Sequence, residues 1–410
     1  MKILVIDDEP FVLKVMAHQL GTFGVGEVLT CGKASEAIAR LAHKVNDIDV
    51  VICDLQMPEI DGVEFVRHLA AIGYGGGLIL TSGEDGRILQ AAETLATAQL
   101  LNVLGILHKP VKSEHLRALL NSNLRQTVRR TASAGAHYSP EELRGALQED
   151  QLQCHYQPKV VLASGAVAGV EALVRWHHPR DGLIYPDRFI SMAEEHGLID
   201  QLTRTVIKNA AGQARLWMEE GLSLTVAVNV SMDNLAALDF PDYVEREMRR
   251  AKLPHTGLML ELTESRLMKD LVAPLDILTR LRLKHIGLSI DDFGTGHSSL
   301  AQLRDIPFDE LKVDRGFVHG AWRNPLLRAI LEASLSMARQ LRMKTVAEGV
   351  EDQADWEFLR DSGCDLAQGY FIARPMAADA LTEWIRSWEQ RRPDLVRDSG
   401  AGTGGRRYRG

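Results

Sequence analysis

The chain has 410 residues, of which 45% are hydrophobic and 25% charged, and its formal net charge is −8. At about 100–200 residues per domain, this length favours two or three domains, and the composition is that of a globular protein rather than a disordered one. The acidic balance argues against a DNA-coating protein, because such proteins need surplus lysine and arginine for phosphate contacts.

The first residues and the cysteines together indicate a cytoplasmic protein. Residues 1–10 become acidic directly after the first apolar run, which is unlike a signal peptide. No apolar run approaches the ~20 residues that are needed to span a membrane. The four cysteines show neither CxxC pairing nor the spacing of a metal site, so we expect reduced thiols. We therefore expect a cytoplasmic location, with neither a membrane nor DNA as a partner.

Residues 1–120 alternate short apolar runs with amphipathic helical patterns. The runs, such as 3–6, 50–53 and 103–107, have the length and the β-branched content of buried strands. The segments between these runs have the period of helices. Such an alternation predicts a parallel sheet with helices on both faces.

Polar side chains follow the predicted strands of this first region. Because ligands bind outside the carboxyl ends of parallel strands, we expect these side chains to converge on one site. Carboxylates bind Mg²⁺ through oxygen, and a carboxylate can form an aspartyl phosphate while a lysine stabilises the transferred charge. Taken singly, an acidic residue after a strand is more often a helix N-cap. The residues of the predicted phosphoryl site are Asp7, Asp8, Asp54, Thr81 and Lys109.

The motifs DDEP, CDLQMPEIDG, LTSGED and HKP resemble those of response-regulator receiver domains. The resemblance implies a flavodoxin-like, doubly wound domain at 1–120, in which a cognate sensor histidine kinase phosphorylates Asp54. It also implies that Asp7 and Asp8 help to hold one Mg²⁺. Thr81 would be the switch hydroxyl, and Lys109 would contact the phosphate.

Two details accompany this resemblance. The family implies a cis peptide bond between Lys109 and Pro110, although cis is a minority state for X–Pro bonds. Ile106 stands where many receivers have an aromatic switch residue. The resemblance therefore implies phosphorylation of Asp54, with an aliphatic residue at the position of the usual aromatic switch.

The segment 121–138 loses the apolar period and becomes small, polar and basic. We interpret it as a linker, with a solvated helical extension as an equally open alternative. A new helix is predicted to begin at SPEEL, with Ser139 as its N-cap and a proline in the first turn. The last residues, 391–410, are rich in glycine and arginine and are predicted to form a disordered tail.

Residues 139–390 alternate about eight strand patterns with helices over about 250 residues, which is the size of a β/α barrel. Strand after strand ends in a polar residue, and barrel active sites lie at that face. Each such residue alone could be a cap or a turn former, but clustered carboxylates repel one another unless cations lie between them. The strand-end residues are Glu171, Asn229, Glu261, Asp291, Asp292, Lys312 and Glu348, and Gln368 lies in the last predicted strand.

The ligand types at these strand ends indicate metal chemistry. Oxygen ligands without clustered histidine or cysteine favour Mg²⁺ or Mn²⁺. Several carboxylates can hold two such cations, which activate a water and stabilise the attacking and leaving oxygens of a phosphoryl displacement. The residues alone therefore predict a metal-dependent hydrolase or lyase that acts on a phosphate ester, without naming the substrate.

The motifs EALVRW, NVS, ELTES, DDFGTGHSSL, KVD, EGVE and QGY, in this order, resemble the EAL phosphodiesterase family. The resemblance implies a TIM-like (β/α)8 barrel that cleaves cyclic di-GMP to linear pGpG with two Mg²⁺ or Mn²⁺ ions. It places Glu171, Asn229, Glu261 and Asp291 on the first metal. Asp291 would bridge to the second metal, which Asp292 would also hold.

The same resemblance implies roles in catalysis and substrate binding. Glu171 belongs to the catalytic set, Lys312 would orient the attacking water, and Glu348 is the candidate general base. An arginine suits a phosphate because its planar fork makes bidentate contacts. Substrate contacts are expected from Gln157, Leu173, Arg175, Asp292, Glu351 and Gln368.

The resemblance also concerns the loop DFGTGHSSL. Glu264 is expected to anchor this loop, which in the family shapes the metal site and a dimer contact, so we expect a homo-oligomer. His297 stands where the family commonly has a tyrosine. Some hydroxyl bonding in the loop is therefore expected to be lost.

The order of the two regions predicts a phosphodiesterase that is modulated by phosphorylation of Asp54. The alternative is a non-catalytic cyclic di-GMP sensor, although none of the family's metal or water-positioning residues is missing. A DNA-binding response regulator is disfavoured by the size of the C-terminal region and by the acidic charge. The sequence contains no GGDEF run, so synthesis of the dinucleotide is not expected.

Overall fold

The computed structural model describes residues 1–44, 47–83, 86–99, 101–120, 138–263, 272–294 and 300–397. The chain divides into two compact units, Met1–His137 and Tyr138–Gly410. The division falls in the segment predicted to be a linker, of which residues 121–137 lie outside the described residues.

The N-terminal unit is a parallel α/β domain. Its elements are β1 (Lys2–Ile6), α1 (Pro10–Thr22), β2 (Glu27–Cys31), α2 (Ala34–Lys44), β3 (Val50–Asp54), α3 (Gly62–Ala71), β4 (Gly77–Ser82), α4 (Gly86–Ala98), β5 (Asn102–His108) and α5 (113–120). In this described part, five parallel strands run in the order β2-β1-β3-β4-β5. This confirms the flavodoxin-like, doubly wound architecture.

Both faces of this sheet are buried, because alternate residues of a strand point to opposite sides. Leu4 and Ile6 of β1 belong to the core on one face, whereas Ile3 and Val5 belong to the core on the other. Strands buried on both sides are almost continuously apolar, so Asp54 stands out at the end of β3. The strand order reverses between β1 and β3, which is where such sheets bind ligands.

The C-terminal unit is a closed barrel surrounded by helices. Its elements are α6 (Pro140–Gln148), β6 (Leu152–Val161), β7 (Val167–His178), β8 (Gly182–Ile184), α7 (Ile190–Glu195), α8 (Ile199–Glu219), β9 (Thr225–Val230), α9 (Phe240–Arg250), β10 (Leu258–Thr263), α10 (Val272–Leu283), β11 (Gly287–Phe293), α11 (Leu300–Asp305), β12 (Glu310–Val313), α12 (Arg315–Val318), α13 (Pro325–Gln340), β13 (Lys344–Ala347), α14 (Gln353–Asp361), β14 (Leu366–Ala367) and α15 (Ala378–Arg397).

The order of the barrel strands is β6-β14-β13-β12-β11-β10-β9-β7, and the pairing of β6 with β7 closes the barrel. The short strand β8 adds an edge beside β7. This confirms the predicted TIM-like (β/α)8 fold, with one difference from a regular barrel. Strand β6 runs antiparallel to both of its neighbours, β7 and β14.

Local capping chemistry sets the start of α6. Ser139 Oγ accepts a hydrogen bond from the Glu142 N–H at 3.2 Å, and Glu142 Oε2 accepts one from the Ser139 N–H at 2.8 Å. This capping box satisfies backbone donors that the helix leaves unpaired, as the SPEEL motif predicts. Tyr138 just before it packs against Trp176, with the ring centroids 5.1 Å apart.

The C-terminal helix corrects the predicted start of the tail. Helix α15 continues through Arg397, so the prediction of disorder is wrong for residues 391–397. Leu395 packs against the barrel core, and its carbonyl accepts a hydrogen bond from Arg360 Nη1 at 3.0 Å. These contacts hold the end of the helix. Residues 398–410 lie outside the described residues.

A search of the described helices found no candidate for a membrane span.

The last strand is shorter than its sequence pattern predicts. Because β14 ends at Ala367, Gln368 lies just past the strand rather than within it. The Val350 N–H donates to Gln368 O at 3.1 Å. A Cβ on Gly369 would lie 2.2 Å from Val350 O, so only glycine permits this close approach of two backbones.

Candidate functional sites

The first site lies at the carboxyl ends of β1 and β3. Asp7 and Asp54 are each 2% exposed, and Lys109 Nζ lies 2.8 Å from Asp7 Oδ2 and 2.9 Å from Asp54 Oδ2. Asp8 is exposed and places a carboxylate oxygen within 4.8 Å of oxygens of the other two aspartates. The structure thus brings together the charged residues of the predicted phosphoryl site.

The charges at this site favour a bound cation. Burial raises the pKa of Asp54, and Asp7 adds to this effect, while Lys109 opposes it. Burial opposes the charge of Lys109, but its hydrogen bonds to Asp7 and Asp54 raise its pKa overall. Asp54 Oδ1 is buried and accepts no hydrogen bond from any residue that the structure describes. A free carboxylate oxygen beside two further carboxylates fits the predicted Mg²⁺.

The predicted switch residues surround Asp54. Thr81 is the direct strand partner of Asp54, but its hydroxyl donates to Cys53 O at 3.4 Å. The Lys109–Pro110 bond is cis, as predicted. Ile106 packs against the apolar core on one face of the sheet. The position of the usual aromatic switch residue is therefore held by an aliphatic core side chain.

The second site lies at the mouth of the barrel and is centred on the fully buried Lys312. Among the described residues, four carboxylates surround this ammonium, because β7, β10, β11 and the end of β13 carry them to the same face of the barrel. Lys312 Nζ lies 2.7 Å from Glu348 Oε1, 3.0 Å from both Glu261 Oε2 and Asp291 Oδ1, and 3.5 Å from Glu171 Oε2.

Amide side chains hold Glu171 in place. Asn229 Nδ2 donates to Glu171 Oε1 at 2.7 Å, and Gln368 Nε2 donates to Glu171 Oε2 at 2.7 Å. Gln368 Nε2 also donates to Gln157 Oε1 at 3.0 Å, which links two of the six residues predicted to contact the substrate. Burial opposes ionisation of Glu171, but Lys312 and the two amides lower its pKa overall. These contacts fix the carboxylate of Glu171 and favour its ionised form.

A bulge in β11 brings two consecutive aspartates into the site. The register with β12 shifts between Ile290 and Phe293, and Asp292 has a left-handed φ of 54°. Bulges re-aim side chains, which allows neighbours in sequence to face one site. Carboxylate oxygens of Asp291, Asp292 and Glu348 all lie within 4.8 Å of one another.

The barrel site carries excess negative charge. Burial raises the pKa of Glu261 to about 7, that of Glu348 to about 8 and that of Asp292 to about 6, and neighbouring carboxylates add to each effect. Burial opposes the charge of Lys312, yet the surrounding carboxylates raise its pKa well above the usual value. Such a set of oxygen donors fits Mg²⁺ or Mn²⁺.

A cavity of about 290 Å³ opens beside these carboxylates. It brings together most of the residues predicted to act on or contact a substrate. Its lining comprises Gln157, Glu171, Leu173, Asp292, Asp314, Arg315, Glu348, Gly349, Glu351, Gln368, Gly369 and Tyr370. Sequence reasoning did not single out Asp314, Arg315 or Tyr370 as lining residues, although each directly follows or belongs to a recognised motif.

Arg175 offers a buried cation on β7. By the two-residue period of a strand it lies on the same face as Glu171 and Leu173. Its Nη1 donates to Val174 O at 2.8 Å, and its guanidinium lies 5.0 Å from the ring centroid of Tyr185. Burial lowers its pKa, and its Nε is buried without a hydrogen-bond partner in the described part of the chain. An unused guanidinium donor suits an anionic ligand.

Sequence reasoning missed two buried charges beneath the barrel site. Lys159 Nζ lies 3.2 Å from Glu261 Oε1 and 2.9 Å from Glu310 Oε1. The signal that could have found them is a charge inside an apolar strand pattern, as in QPKVV. Such a charge needs a buried partner.

Two of the residues singled out from the sequence belong to the segments that follow β10 and β11. Glu264 and His297 lie outside the described residues. Their roles as loop anchor and as a replacement for tyrosine remain predictions.

Comparisons with known families match both units. The EAL domain family matches residues 140–375, and the response regulator receiver domain family matches residues 3–121. The cyclic di-GMP phosphodiesterase RocR of Pseudomonas aeruginosa is 33% identical over 378 residues, which cover 92% of this chain and 96% of RocR. The cyclic di-GMP phosphodiesterase NbdA of the same organism is 46% identical over 249 residues, which cover 60% of this chain but only 32% of NbdA.

Solved structures resemble part of the chain. The structure titled "PaMucR Phosphodiesterase, c-di-GMP complex" has a TM-score of 0.56 and 45% identity, and the match covers 59% of this chain and 98% of that one. The cAMP and cyclic-di-GMP bound form of the EAL enzyme Bd1971 has a TM-score of 0.56 and 26% identity, over 66% of this chain and 75% of that one.

Proposed function

The chain belongs to the EAL domain family and carries a response regulator receiver domain at residues 3–121, and on that premise we propose that it hydrolyses cyclic di-GMP to linear pGpG. The observation that carries the proposal is the set of carboxylates around Lys312, which lies beside a cavity at the mouth of the barrel. RocR, a cyclic di-GMP phosphodiesterase similar over nearly its whole length, supports the same activity.

Two divalent cations are part of this proposal. Glu171, Asn229, Glu261 and Asp291 would hold the first, and Asp291 and Asp292 would hold the second. When bound, such a pair of Mg²⁺ or Mn²⁺ ions makes a water more acidic and stabilises negative charge on a phosphate undergoing displacement. The pKa values of Glu261 and Asp292 are raised, so a nearby cation would stabilise the charged forms of these carboxylates.

Residues of the chain would perform the proton transfer. Glu348 would accept the proton of the attacking water at its carboxylate, because its raised pKa makes it a stronger base than an ordinary glutamate. Lys312 lies 2.7 Å from Glu348 Oε1, and its ammonium would orient both this base and the water. The fully buried position of Lys312 strengthens this interaction.

Substrate binding would use the cavity and Arg175. The free Nε of Arg175 would donate to a phosphate oxygen of the dinucleotide. Leu173, Gln157, Gln368 and Glu351, which line the cavity, would contact the rest of the substrate.

The direct test is the conversion of cyclic di-GMP to pGpG by the full chain with Mg²⁺ or Mn²⁺, followed by chromatography. Glu171→Gln should reduce the rate at least about 100-fold, because losing a residue that only orients a metal ligand already costs about 10–100-fold and Glu171 is itself a proposed ligand. The matched control is Glu332→Gln, because Glu332 is an exposed residue of α13. A wild-type protein that binds cyclic di-GMP but forms no pGpG with either cation would support the non-catalytic sensor instead.

Phosphorylation of Asp54 is proposed to modulate this activity. A phosphoryl group would pair with Lys109 and shift the population of receiver conformations. Coupling between sites typically changes binding affinity by about fivefold or more. Treatment with an acyl phosphate should therefore change the turnover of wild-type protein and leave Asp54→Asn unchanged, with the direction left to the measurement.

The control for this prediction is Asp61→Asn. Asp61 is the exposed N-cap of α3, and asparagine can fill the same role. This variant should respond to the acyl phosphate as the wild type does. Wild-type protein that is phosphorylated on Asp54 and yet turns over at its original rate would contradict the coupling.

The remaining partners are also proposals. A sensor histidine kinase would supply the phosphoryl group to Asp54 in the cytoplasm. A homo-oligomer through the barrel unit, with Glu264 anchoring the loop near the contact, would follow the behaviour of the family. Sedimentation of the full chain at several concentrations tests the oligomer.

A further inference from the structure

A buried ion pair from β6 and β12 lies beneath the carboxylates of the barrel site. Lys159 and Glu310 are each 3% exposed, and Lys159 Nζ lies 2.9 Å from Glu310 Oε1 and 3.2 Å from Glu261 Oε1. Ser289 Oγ donates to Glu310 Oε1 at 3.2 Å. Neither member of the pair is among the described residues that line the cavity, so neither is placed to touch the substrate.

The two oxygens of Glu261 face different lysines. Oε1 lies beside Lys159, and Oε2 lies 3.0 Å from Lys312, the cation at the centre of the site. A carboxylate that is held through one oxygen keeps the other oriented in one direction. Residues that hold a metal ligand in this way fix its geometry, and their loss typically costs about 10–100-fold in metal affinity.

Glu310 supplies the charge that lets Lys159 act in this way. A lysine paired with Glu261 alone would cancel the charge of that carboxylate and repel a nearby cation. Glu310 balances Lys159, so Glu261 keeps its own charge for a metal. The hydrogen bond from Ser289 holds Glu310 in turn. The burial of all these groups makes the balance necessary, because an unpaired buried charge is costly.

We propose that Lys159 and Glu310 are positioning residues that orient Glu261 for cation binding. The inference rests on the proposed role of Glu261 as a metal ligand. Because the pair acts through Glu261 and does not touch the substrate, its loss should change metal affinity and kcat but not KM for cyclic di-GMP.

The test is the double variant Lys159→Met/Glu310→Gln in the full chain. It removes one positive and one negative charge, so the net charge of the barrel interior is unchanged and a change in cation affinity reports orientation. Mn²⁺ affinity, measured from the electron paramagnetic resonance signal of free Mn²⁺, should fall about 10–100-fold. Glu310→Gln alone keeps the shape of the side chain and should weaken Mn²⁺ binding in the same direction.

Three controls separate the possible outcomes. Glu261→Gln shows how much Mn²⁺ the chain binds without this ligand, and Lys344→Met/Glu332→Gln removes an equivalent pair of exposed charges. All six tryptophans lie after residue 138, so their fluorescence shows whether the barrel is folded. Folded variants with wild-type Mn²⁺ affinity would overturn the inference. A wild-type protein that binds no more Mn²⁺ than Glu261→Gln would show that Glu261 is not a metal ligand and would overturn this inference. The proposed function itself fails only if the wild type forms no pGpG.

Discussion

Lys312→Met is expected to lower kcat by about 10²–10³ and to make the stability of the barrel depend strongly on divalent cations. The ammonium of Lys312 is the only charge the variant removes, but Glu171, Glu261, Asp291 and Glu348 all face it. Removing one partner of a buried ion pair typically costs about 3–5 kcal/mol. Removing a preorganised donor from an active site lowers kcat by about 10²–10³.

The cation dependence follows from the same carboxylates. A bound cation stabilises the folded state by mass action, and it binds more tightly where the uncompensated negative charge is larger. Mn²⁺ should therefore raise the unfolding midpoint of Lys312→Met more than that of the wild type. Urea unfolding followed by tryptophan fluorescence measures this for the barrel alone, because the receiver contains no tryptophan.

The control for this prediction is Lys208→Met, on the exposed face of α8. It should retain the activity and the Mn²⁺ response of the wild type. Equal stabilisation of Lys312→Met and wild type by Mn²⁺ would show that Lys312 does not share its site with a cation. Activity retained in Lys312→Met would exclude its role in orienting the water.

The strand ends of both units could be predicted from the sequence. Apolar runs locate the parallel strands, and parallel strands place their carboxyl ends on one face. Asp54 and Lys109, or Glu261 and Lys312, therefore meet in space although many residues separate them in sequence. The chemistry of the site follows from the residue types at these ends.

Features that depend on tertiary packing could not be predicted in this way. The direction of β6 is set by its pairing with β7 and β14. The spacing of apolar residues in the sequence does not reveal this pairing. Lys159 and Glu310 are 151 residues apart, and their partnership depends on the register of the closed barrel. The extension of α15 depends on the packing of Leu395, whereas its local composition favours a tail.

Glu348→Gln is expected to lower kcat by about 10²–10⁴, the usual contribution of a general base. The amide cannot accept the proton of water, but it keeps the size of the side chain and can remain near Lys312. Affinity for cyclic di-GMP and for Mn²⁺ should stay close to that of the wild type. Binding to a catalytically silent variant is measured by calorimetry, and turnover is measured by formation of pGpG.

The pH dependence gives this prediction its sign. A general base acts in its deprotonated form, so wild-type activity should rise as pH rises through the pKa of Glu348. Burial raises the pKa of Glu348 to about 8 without cations. Bound cations favour the charged carboxylate, so the midpoint of this increase in activity should lie below pH 8 in the metal-loaded enzyme. The residual activity of Glu348→Gln should lack this rise.

The matched control is Glu357→Gln on α14, which should keep the wild-type profile. Loss of Mn²⁺ affinity in Glu348→Gln would instead make Glu348 a metal ligand, which its position within 4.8 Å of Asp291 and Asp292 permits. A pH profile that persists in Glu348→Gln would assign proton transfer to another group. The two measurements together therefore distinguish a base from a ligand at Glu348, whose carboxylate lies 2.7 Å from Lys312 Nζ and within 4.8 Å of the aspartate pair.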